Sequence, residues 1–279
     1  MRVVVTGGNT GIGFALCKQL VLDHNAHVYL AARNPTKGQD AVSKIQSLMG
    51  QKPSSGSVTF IPMDTSDDES VLNASNVIKQ DLTSKEEKLY GIVNNAGVGL
   101  NTALSPKDLL NTNLYGPKRV CEAFLDLLDE GKGRIVNLGS GSGPMYTQGC
   151  SDGDKKLLCN PDKISSWEAI EKHANENVNG QYVDVYGLSK ALLACYTGYF
   201  ANQHPNILSS CVTPGFIDTQ MTRGYGASKT PDQGTLAIKH CLLDELEGNG
   251  WYYGSDGLRS PYHFMRSPGE PVYDGNSPF

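Results

Sequence analysis

Short apolar runs alternate with segments of helical periodicity along most of the chain. Runs such as Arg2–Thr6 and His27–Ala31 predict buried strands, and the apolar spacing from Ile12 to Leu20 predicts a helix between them. The same alternation predicts strands at Val58–Ile61, Gly91–Val93, Arg134–Leu138, Ile207–Val212 and Trp251–Tyr253. Further helices are predicted at Ala41–Leu48, Val71–Ile78, Leu109–Leu128, about Pro231–Leu246, and around Tyr186 as far as Asn202. Because strands that alternate with helices imply right-handed crossovers, we expect an α/β fold with a doubly wound parallel sheet of the Rossmann type.

A polar stretch at about 143–182 interrupts this alternation. Within it, Ser165-Ser166-Trp167-Glu168 has the pattern of a capping box, which predicts the start of a short helix. We expect an inserted helical segment on the surface near the functional site, and a disordered loop is the alternative. No linker or repeat divides the 279 residues, so residues 1–279 are expected to form one domain that carries this insertion.

Composition excludes several classes of function. The net charge of −5 lacks the basic excess of nucleic-acid-binding proteins, and no apolar run is long enough to span a bilayer. The chain enters the strand at Val3–Val5 without the pattern of a signal peptide. Seven cysteines without a Cys-x-x-Cys pair indicate reduced thiols and a cytoplasmic setting, and no cluster of ligands predicts a metal site.

A glycine-rich turn follows the first predicted strand. In Thr6-Gly7-Gly8-Asn9-Thr10-Gly11-Ile12-Gly13, Gly7 permits a tight turn, Gly11 lets the backbone approach a pyrophosphate, and Gly13 allows close helix packing. The helix that starts there directs free N–H groups and the positive end of its dipole at phosphates. A strand, this turn and a helix in succession predict a dinucleotide-binding site.

The end of the second strand indicates which nicotinamide cofactor binds. NAD-binding folds usually place a carboxylate there to hold the ribose 2′-hydroxyl, but Leu30–Lys37 contains none. Arg33 instead offers a planar guanidinium suited to a 2′-phosphate. Lys37 either adds a second positive charge or is an ordinary solvated residue. We therefore expect NADP(H).

Tyr186 and Lys190 form a Tyr-x-x-x-Lys pair, which places both side chains on one face of a helix. An ammonium near a phenol favours the phenolate, so we expect Lys190 to lower the pKa of Tyr186 and fit it for acid–base catalysis. Tyr225 and Lys229 repeat the spacing, but the neighbouring glycines and Pro231 predict a loop. Tyr225 is therefore expected to be a lid or surface residue.

Together these motifs resemble the short-chain dehydrogenase/reductase family over nearly the whole chain. The resemblance rests on Thr6–Gly13, Asp64, Asn94-Asn95-Ala96-Gly97, Asn113, Ser140, Tyr186 with Lys190, and Pro214-Gly215. The long interval between Ser140 and Tyr186 is similar to that of the carbonyl-reductase branch. In that branch an inserted helix covers the surface through which other members pair, so the resemblance implies a monomer.

The resemblance also implies a role for each matching residue. Ser140 would hydrogen-bond the substrate oxygen and Tyr186 would exchange a proton with it. Lys190 would hold the nicotinamide ribose, and Asn113 would anchor a water that relays protons. The residues that would bind the cofactor are Gly7, Asn9, Thr10, Gly11, Ile12, Gly13, Arg33, Lys37, Asp64, Asn95, Gly97, Tyr186, Lys190, Pro214, Gly215, Ile217 and Thr219.

Two positions depart from the family pattern. Thr10 stands where NADP-dependent relatives often carry a basic residue, and Gly139 replaces the first serine of a commoner Ser-Ser pair. Ser142 is an alternative to Ser140 as the catalytic serine. Asn94 and Asn137 are polar residues within strands, where we expect them to hydrogen-bond inside the sheet.

The function expected from these residues is reduction of a ketone or aldehyde by NADPH. A specialised reductase similar to the light-dependent protochlorophyllide branch and a non-catalytic NADP(H)-binding redox sensor are the alternatives. The substrate pocket is expected between the segment after Gly97, residues 141–146, the insertion and the loop 219–229. Its predicted apolar lining is Met145, Tyr146, Met221 and Tyr225.

Overall fold

The computed structural model describes residues 1–50, 54–99, 105–179 and 182–279. Across these residues the strands form one sheet, which comprises β1 (Arg2–Thr6), β2 (His27–Ala32), β3 (Ser57–Pro62), β4 (Gly91–Asn94), β5 (Arg134–Leu138), β6 (Leu208–Val212) and β7 (Trp251–Tyr253). Every pairing is parallel, and the strand order is β3-β2-β1-β4-β5-β6-β7. The predicted doubly wound parallel sheet is confirmed, and each predicted strand end lies within one residue of the observed one.

Helices cover both faces of the sheet. The α-helices are α1 (Gly11–His24), α2 (Pro35–Met49), α3 (Asp68–Lys85), α4 (Pro106–Leu110), α5 (Gly116–Phe124), α6 (Ser142–Gly149), α7 (Asp152–Cys159), α8 (Trp167–Asn177), α9 (Tyr182–Gln203) and α10 (Leu236–Leu243). Side chains of a strand alternate between the two faces. On β1, Val4 packs in one hydrophobic core, whereas Val3 and Val5 pack in the core on the other side. Within the described ranges, no helix is long and apolar enough to cross a bilayer.

The centre of the sheet determines where a ligand fits. β1 pairs with β2 on one side and with β4 on the other, so Val4 lies between Tyr29 and Ile92. The connections therefore run outward from β1 in opposite directions. In open α/β sheets this reversal opens a crevice at the carboxyl ends of the strands, which is where such folds bind ligands.

The helix predicted over Leu109–Leu128 is not regular. α4 leads into a π-helical turn at Asn111–Tyr115, then α5, then a 3-10 turn at Leu125–Leu127. Pro117 has no amide hydrogen to bond the carbonyl of Asn113, as an α-helix would require, which favours a wider turn here. The predicted long helix is confirmed in extent, because helical turns follow one another without a gap from Pro106 to Leu127, and its irregular turn contains Asn113.

The insertion between α6 and α9 is helical, with α7, a short 3-10 turn and α8. Its predicted capping box is wrong, because α8 starts at Trp167 with Ser166, not Ser165, as N-cap. Glu168 is then at the second helical position rather than the third, and it bonds the Ser166 side chain instead. The Trp167 ring packs edge-on against Tyr196, with ring centres 5.8 Å apart, which fixes α8 on α9.

The chain after β7 packs against the insertion. The buried guanidinium of Arg266 bonds the Asp256 carboxylate and the Ser260 hydroxyl, which organises the segment that follows Gly254. Further along, Asn160 Nδ2 donates to the carbonyl oxygen of Phe279 at 3.2 Å. This segment therefore supports α7 and its following turn.

Candidate active site

A cavity of about 1260 Å³ lies at the carboxyl edge of the sheet, beside the ends of β1 and β4. The predicted site residues that line it are Gly7, Asn9, Thr10, Gly11, Ile12, Arg33, Lys37, Asp64, Asn95, Gly97, Ser140, Tyr186, Lys190, Pro214, Gly215, Ile217 and Thr219. Gly13 and Asn113 do not line the cavity. The fold therefore brings nearly all of the predicted cofactor-binding and catalytic residues to one place.

The glycine-rich turn after β1 depends on its glycines. Gly7 and Gly11 have φ angles of +63° and +54°, in the left-handed region that favours glycine. A Cβ placed on Gly13 would lie 2.4 Å from both Asn95 Nδ2 and the Gly7 carbonyl oxygen. Asn95 donates to the carbonyl oxygens of Thr6 and Gly7 at 2.9 and 3.2 Å. Asn95 therefore holds the shape of the turn as well as lining the cavity.

Charged residues at the ends of β2 and β3 form a second part of the cavity wall. Burial raises the pKa of Asp64, but hydrogen bonds from Ser66 and the charges of Arg33 and Arg119 outweigh it, so the pKa is lowered overall. Arg33 and Lys37 are exposed at the surface, and the Lys37 amide donates to Asn34 Oδ1 at 2.9 Å. This wall thus combines an ionised carboxylate with two cations beside the glycine-rich turn.

The loop after β6 closes over the glycine-rich turn. Gly215 has a φ of +88°, and Ile217 is buried. A Cβ on Gly11 would lie 3.4 Å from Thr219 Cγ2, so the loop and the turn are in near contact. The loop is held in turn by the Asp218 amide, which donates to the Lys229 carbonyl oxygen at 2.8 Å.

Tyr186, Lys190 and Ser140 meet in the middle of the cavity. Lys190 is 6% exposed, and its Nζ donates to the Leu138 carbonyl oxygen at 2.8 Å. The same Nζ lies 5.9 Å from the centre of the Tyr186 ring. Ser140 hydrogen-bonds the Tyr186 side chain. Ser142, the alternative serine, instead donates its amide to Ser140 Oγ at 3.2 Å, so the geometry favours Ser140.

The ionisation of this group differs from the expectation. Burial raises the pKa of Tyr186, and the hydrogen bond with Ser140 opposes that rise. The pKa of Lys190 is lowered to about 8 because the ammonium is buried, and the neighbouring Cys211 partly opposes this lowering. The expectation that Lys190 lowers the pKa of Tyr186 is therefore wrong for this structure. Its physical reason is desolvation, which favours the neutral form of both groups.

Asn113 lies behind the cavity wall and is 1% exposed. Its Oδ1 accepts from the Val98 amide at 2.9 Å, and its Nδ2 donates to the Val98 carbonyl oxygen at 2.9 Å. Nδ2 also donates to Ser189 Oγ at 3.2 Å. Because Pro117 cannot supply the usual helical donor, the Asn113 backbone carbonyl is better suited than its side chain to accept from a water.

Apolar and aromatic side chains line the cavity near Tyr186. They include all four predicted residues, Met145, Tyr146, Met221 and Tyr225. Gln220 and Arg223 of the predicted loop 219–229 also line the cavity. Phe216 lines it too and was not predicted, although its place directly after the matched Pro214-Gly215 was an available signal.

Only the first residues of the insertion, Met145 and Tyr146, border this cavity within the part of the chain that the structure describes. Residues 147–179, all of which the structure describes, contribute no side chain to its lining. The expectation that the insertion borders the substrate pocket is therefore wrong beyond Tyr146. The reason is that Trp167 attaches α8 to the outer side of α9, where Tyr115 also packs on the same ring.

Two sequence features receive a structural explanation. A Cβ on Gly139 would lie 2.7 Å from Cys211 Sγ, so the thiol occupies the space that a serine at this position would need. Asn94 Nδ2 donates to Asn137 Oδ1 at 2.8 Å, and Asn137 Nδ2 donates to Thr197 Oγ1 at 2.9 Å. The predicted hydrogen bonding of both asparagines inside the sheet is confirmed.

Comparison with known proteins agrees with this site. The family profile described as short chain dehydrogenase matches residues 1–151, more than half of the chain. The chain belongs to the short-chain dehydrogenase family. The match contains the glycine-rich turn, Asn113 and Ser140, and stops before the turn of α9 that carries Tyr186.

Relatives of the full chain are reductases and dehydrogenases. The (+)-neomenthol dehydrogenase of Arabidopsis thaliana is 28% identical over an alignment that covers 88% of this chain and 92% of that protein. NADPH carbonyl reductase 3 of Mus musculus is 28% identical over 270 residues, covering 88% and 93%. The solved structure of salutaridine reductase from Papaver somniferum matches with a TM-score of 0.76 at 26% identity, covering 90% of this chain and 99% of that one. NADPH-bound carbonyl reductase from chicken fatty liver matches with a TM-score of 0.67 at 25% identity, covering 93% and 98%.

Proposed function

We propose that the protein is an NADPH-dependent oxidoreductase that reduces a ketone or aldehyde to an alcohol. The observation that carries this proposal is the meeting of Ser140, Tyr186 and Lys190 in one cavity with the glycine-rich turn. The relatives named for carbonyl, menthol and salutaridine chemistry support the same reaction class. Neither the protochlorophyllide branch nor a non-catalytic sensor is favoured by these relatives.

The residues around the cavity fit a dinucleotide. The positive φ angles of Gly7 and Gly11 shape the turn so that the start of α1 faces the cavity and is open to a pyrophosphate, while the bare Cα of Gly13 lets α1 pack closely against Asn95 and the Gly7 carbonyl. Arg33 and Lys37 would hold a 2′-phosphate, and Asp64 would accept from the adenine. Thr10 offers a hydroxyl rather than a charge, so Arg33 is the main cation for NADP(H). The remaining predicted contacts would be made by residues that also line the cavity, namely Asn9, Ile12, Asn95, Gly97, Pro214, Gly215, Ile217 and Thr219.

The catalytic residues would act on the substrate oxygen. When bound, the cofactor supplies a hydride from C4 of its nicotinamide to the carbonyl carbon. Ser140 and Tyr186 donate hydrogen bonds to the oxygen as negative charge develops there, and Tyr186 transfers its proton to form the alcohol. Each pre-placed donor of this kind is worth about 3–4 kcal/mol of transition-state stabilisation. The raised pKa of Tyr186 keeps that proton in place until the oxygen becomes basic enough to take it.

Lys190 and Asn113 would support the proton donor. Lys190 lies where its ammonium can hold the nicotinamide ribose and stabilise the tyrosinate that forms after proton transfer. Asn113 would anchor a water through its backbone carbonyl, which gives a route for a proton back to Tyr186. The proximity of Asn113 Oδ1 and Lys190 Nζ to the same Cβ position of Gly97 supports these assignments.

The cavity wall suggests the character of the substrate. Met145, Phe216 and Tyr225 are each about half exposed, at 56%, 51% and 54%. Half-exposed apolar side chains around a cavity provide binding area for an apolar ligand. We therefore propose a hydrophobic ketone or aldehyde as the substrate.

The insertion supports a proposal for the oligomeric state. α8 covers α9 through Trp167, and the Lys118 ammonium lies 5.0 Å over the same ring. This cover lies over the helix surface through which other members of the family are expected to pair, so we propose a monomer in the cytoplasm. The unpaired state of all seven cysteines is compatible with that compartment. Light scattering on a sizing column tests the monomer, and a dimeric mass contradicts it.

The proposed reaction is tested by NADPH oxidation with a panel of hydrophobic ketones, aldehydes and quinones, with NADH in parallel. Turnover with NADPH and much slower turnover with NADH are expected. Tight NADPH binding without turnover on any carbonyl compound would contradict the proposal and restore the sensor alternative.

A further inference from the structure

Ser189 is the residue of α9 that directly precedes Lys190. Its side chain is 0% exposed, and its hydroxyl donates to the Tyr186 carbonyl oxygen at 2.7 Å. A serine inside a helix commonly bonds a carbonyl of the preceding turn. This bond alone would therefore show only that a buried hydroxyl is satisfied.

The Ser189 oxygen also has a partner on a different element. Asn113 Nδ2 donates to it at 3.2 Å. A hydroxyl has two acceptor lone pairs in addition to its one hydrogen, so both bonds form at the same time. The other hydrogen-bonded atoms of the Asn113 side chain are held by the Val98 backbone. Ser189 is thus the contact that joins Asn113 to the turn of α9 that carries Tyr186 and Lys190.

Asn113 and Lys190 approach the same small volume beside Gly97. A Cβ on Gly97 would lie 3.2 Å from Asn113 Oδ1 and 3.7 Å from Lys190 Nζ. Without the Ser189 hydroxyl, one hydrogen of the buried Asn113 amide would lose its partner. Buried amides seldom remain unpaired, so the Asn113 side chain or its π-helical turn would shift toward another acceptor. Such a shift changes the position of Asn113 relative to Lys190.

We propose that Ser189 is a positioning residue of the reaction. It fixes Asn113 against the catalytic turn of α9 and thereby sets the geometry through which Tyr186 is reprotonated. The proposal rests on the proposed function, because Ser189 acts through Asn113, Tyr186 and Lys190 and does not line the cavity itself.

The test is a double-mutant cycle between Ser189→Ala and Asn113→Ala, measured as kcat with NADPH and one carbonyl substrate across pH. Alanine is a good helix former, so Ser189→Ala is expected to keep α9 folded. We expect kcat of Ser189→Ala to fall about tenfold, since small misplacements of catalytic groups have effects of this size or more. The KM for NADPH should stay within about twofold, because no cofactor contact is removed. The pH dependence of kcat should shift by about half a unit, because the route of the proton changes.

The double variant distinguishes positioning from loss of packing. If Ser189 acts through Asn113, Ser189→Ala should slow an Asn113→Ala enzyme by less than about twofold. Ser75→Ala is the matched control, because Ser75 is also buried and bonds a helical carbonyl, that of Ala123 at 2.6 Å, away from the cavity. It should change neither kcat nor its pH dependence.

The outcomes that overturn the proposal are specific. Multiplicative losses in the double variant, or an unchanged kcat and pH dependence in Ser189→Ala, show that Ser189 does not act through Asn113. Failure of the proposed function appears elsewhere, as absence of carbonyl turnover in the wild-type protein or as full turnover by Tyr186→Phe.

Discussion

The ammonium nitrogen of Lys190 lies 2.8 Å from the carbonyl oxygen of Leu138, at the carboxyl end of β5. This bond anchors the lysine of α9 to the strand that leads to Ser140. It also compensates part of the cost of burying a charge, although burial still lowers the pKa of Lys190 to about 8. The strand and the helix that supply the catalytic groups are therefore joined by the lysine itself.

The lowered pKa of Lys190 predicts that the activity of the enzyme depends on pH. Because its pKa is depressed to about 8, Lys190 is charged below that pH and neutral above it. We expect kcat/KM for NADPH to fall as the pH rises through about 8, since that quantity reports groups of the free enzyme. Lys190→Arg keeps its charge at high pH, so its lower activity should lack this descent. An identical descent in Lys190→Arg would assign it to another group.

Arg33→Ala should weaken the preference for NADPH. A charge-assisted hydrogen bond is worth about 1.5–3 kcal/mol, so KM for NADPH is expected to rise about 10- to 100-fold while KM for NADH changes little. Lys37→Ala measures the contribution of the second cation. Lys172→Ala, on the exposed face of α8, serves as a control that removes one positive charge elsewhere. Equal losses with both cofactors would contradict the role of Arg33.

Gly139→Ser should destabilise the protein although it restores the commoner serine of the family. Its Cβ would lie 2.7 Å from Cys211 Sγ, and overpacking of this kind typically costs about 1–3 kcal/mol of unfolding free energy. The double variant Gly139→Ser/Cys211→Ala should recover part of that loss, because the sulfur is removed. Urea unfolding measures both effects. Gly149→Ser is the control, since no atom lies within 4 Å of its Cβ position. A Gly139→Ser protein as stable as wild type would refute the explanation.

The sheet and the cofactor end of the site follow directly from the sequence. Short apolar runs such as Val3–Val5 predict buried strands from the local sequence alone. The glycine-rich turn is equally local, because Gly7 and Gly11 adopt positive φ angles that glycine favours. In natural proteins the structure that such local patterns favour usually agrees with the structure of the whole fold. The same holds for Tyr186 and Lys190, whose shared helix face is a consequence of their spacing.

Features that depend on packing between distant segments could not be predicted in this way. The helical periodicity around Asn113 did not distinguish an α-helix from the π-helical turn that the structure contains. Pro117, which lacks an amide hydrogen, was the one local signal for that turn. Spacing placed Lys190 near Tyr186 but could not show that burial dominates the pKa of both groups. The contact of Trp167 with Tyr196, which directs the insertion away from the cavity, joins segments whose relative position only the fold determines.

The most direct test of the central claim compares Tyr186→Phe with the wild-type protein, using the best carbonyl substrate and NADPH. Phenylalanine keeps the ring that packs beside Lys190 and removes only the hydroxyl that would donate the proton. We expect unchanged NADPH binding and a kcat at least about 100-fold lower, the size typical of a lost acid–base group. Retention of wild-type turnover by Tyr186→Phe would contradict the account.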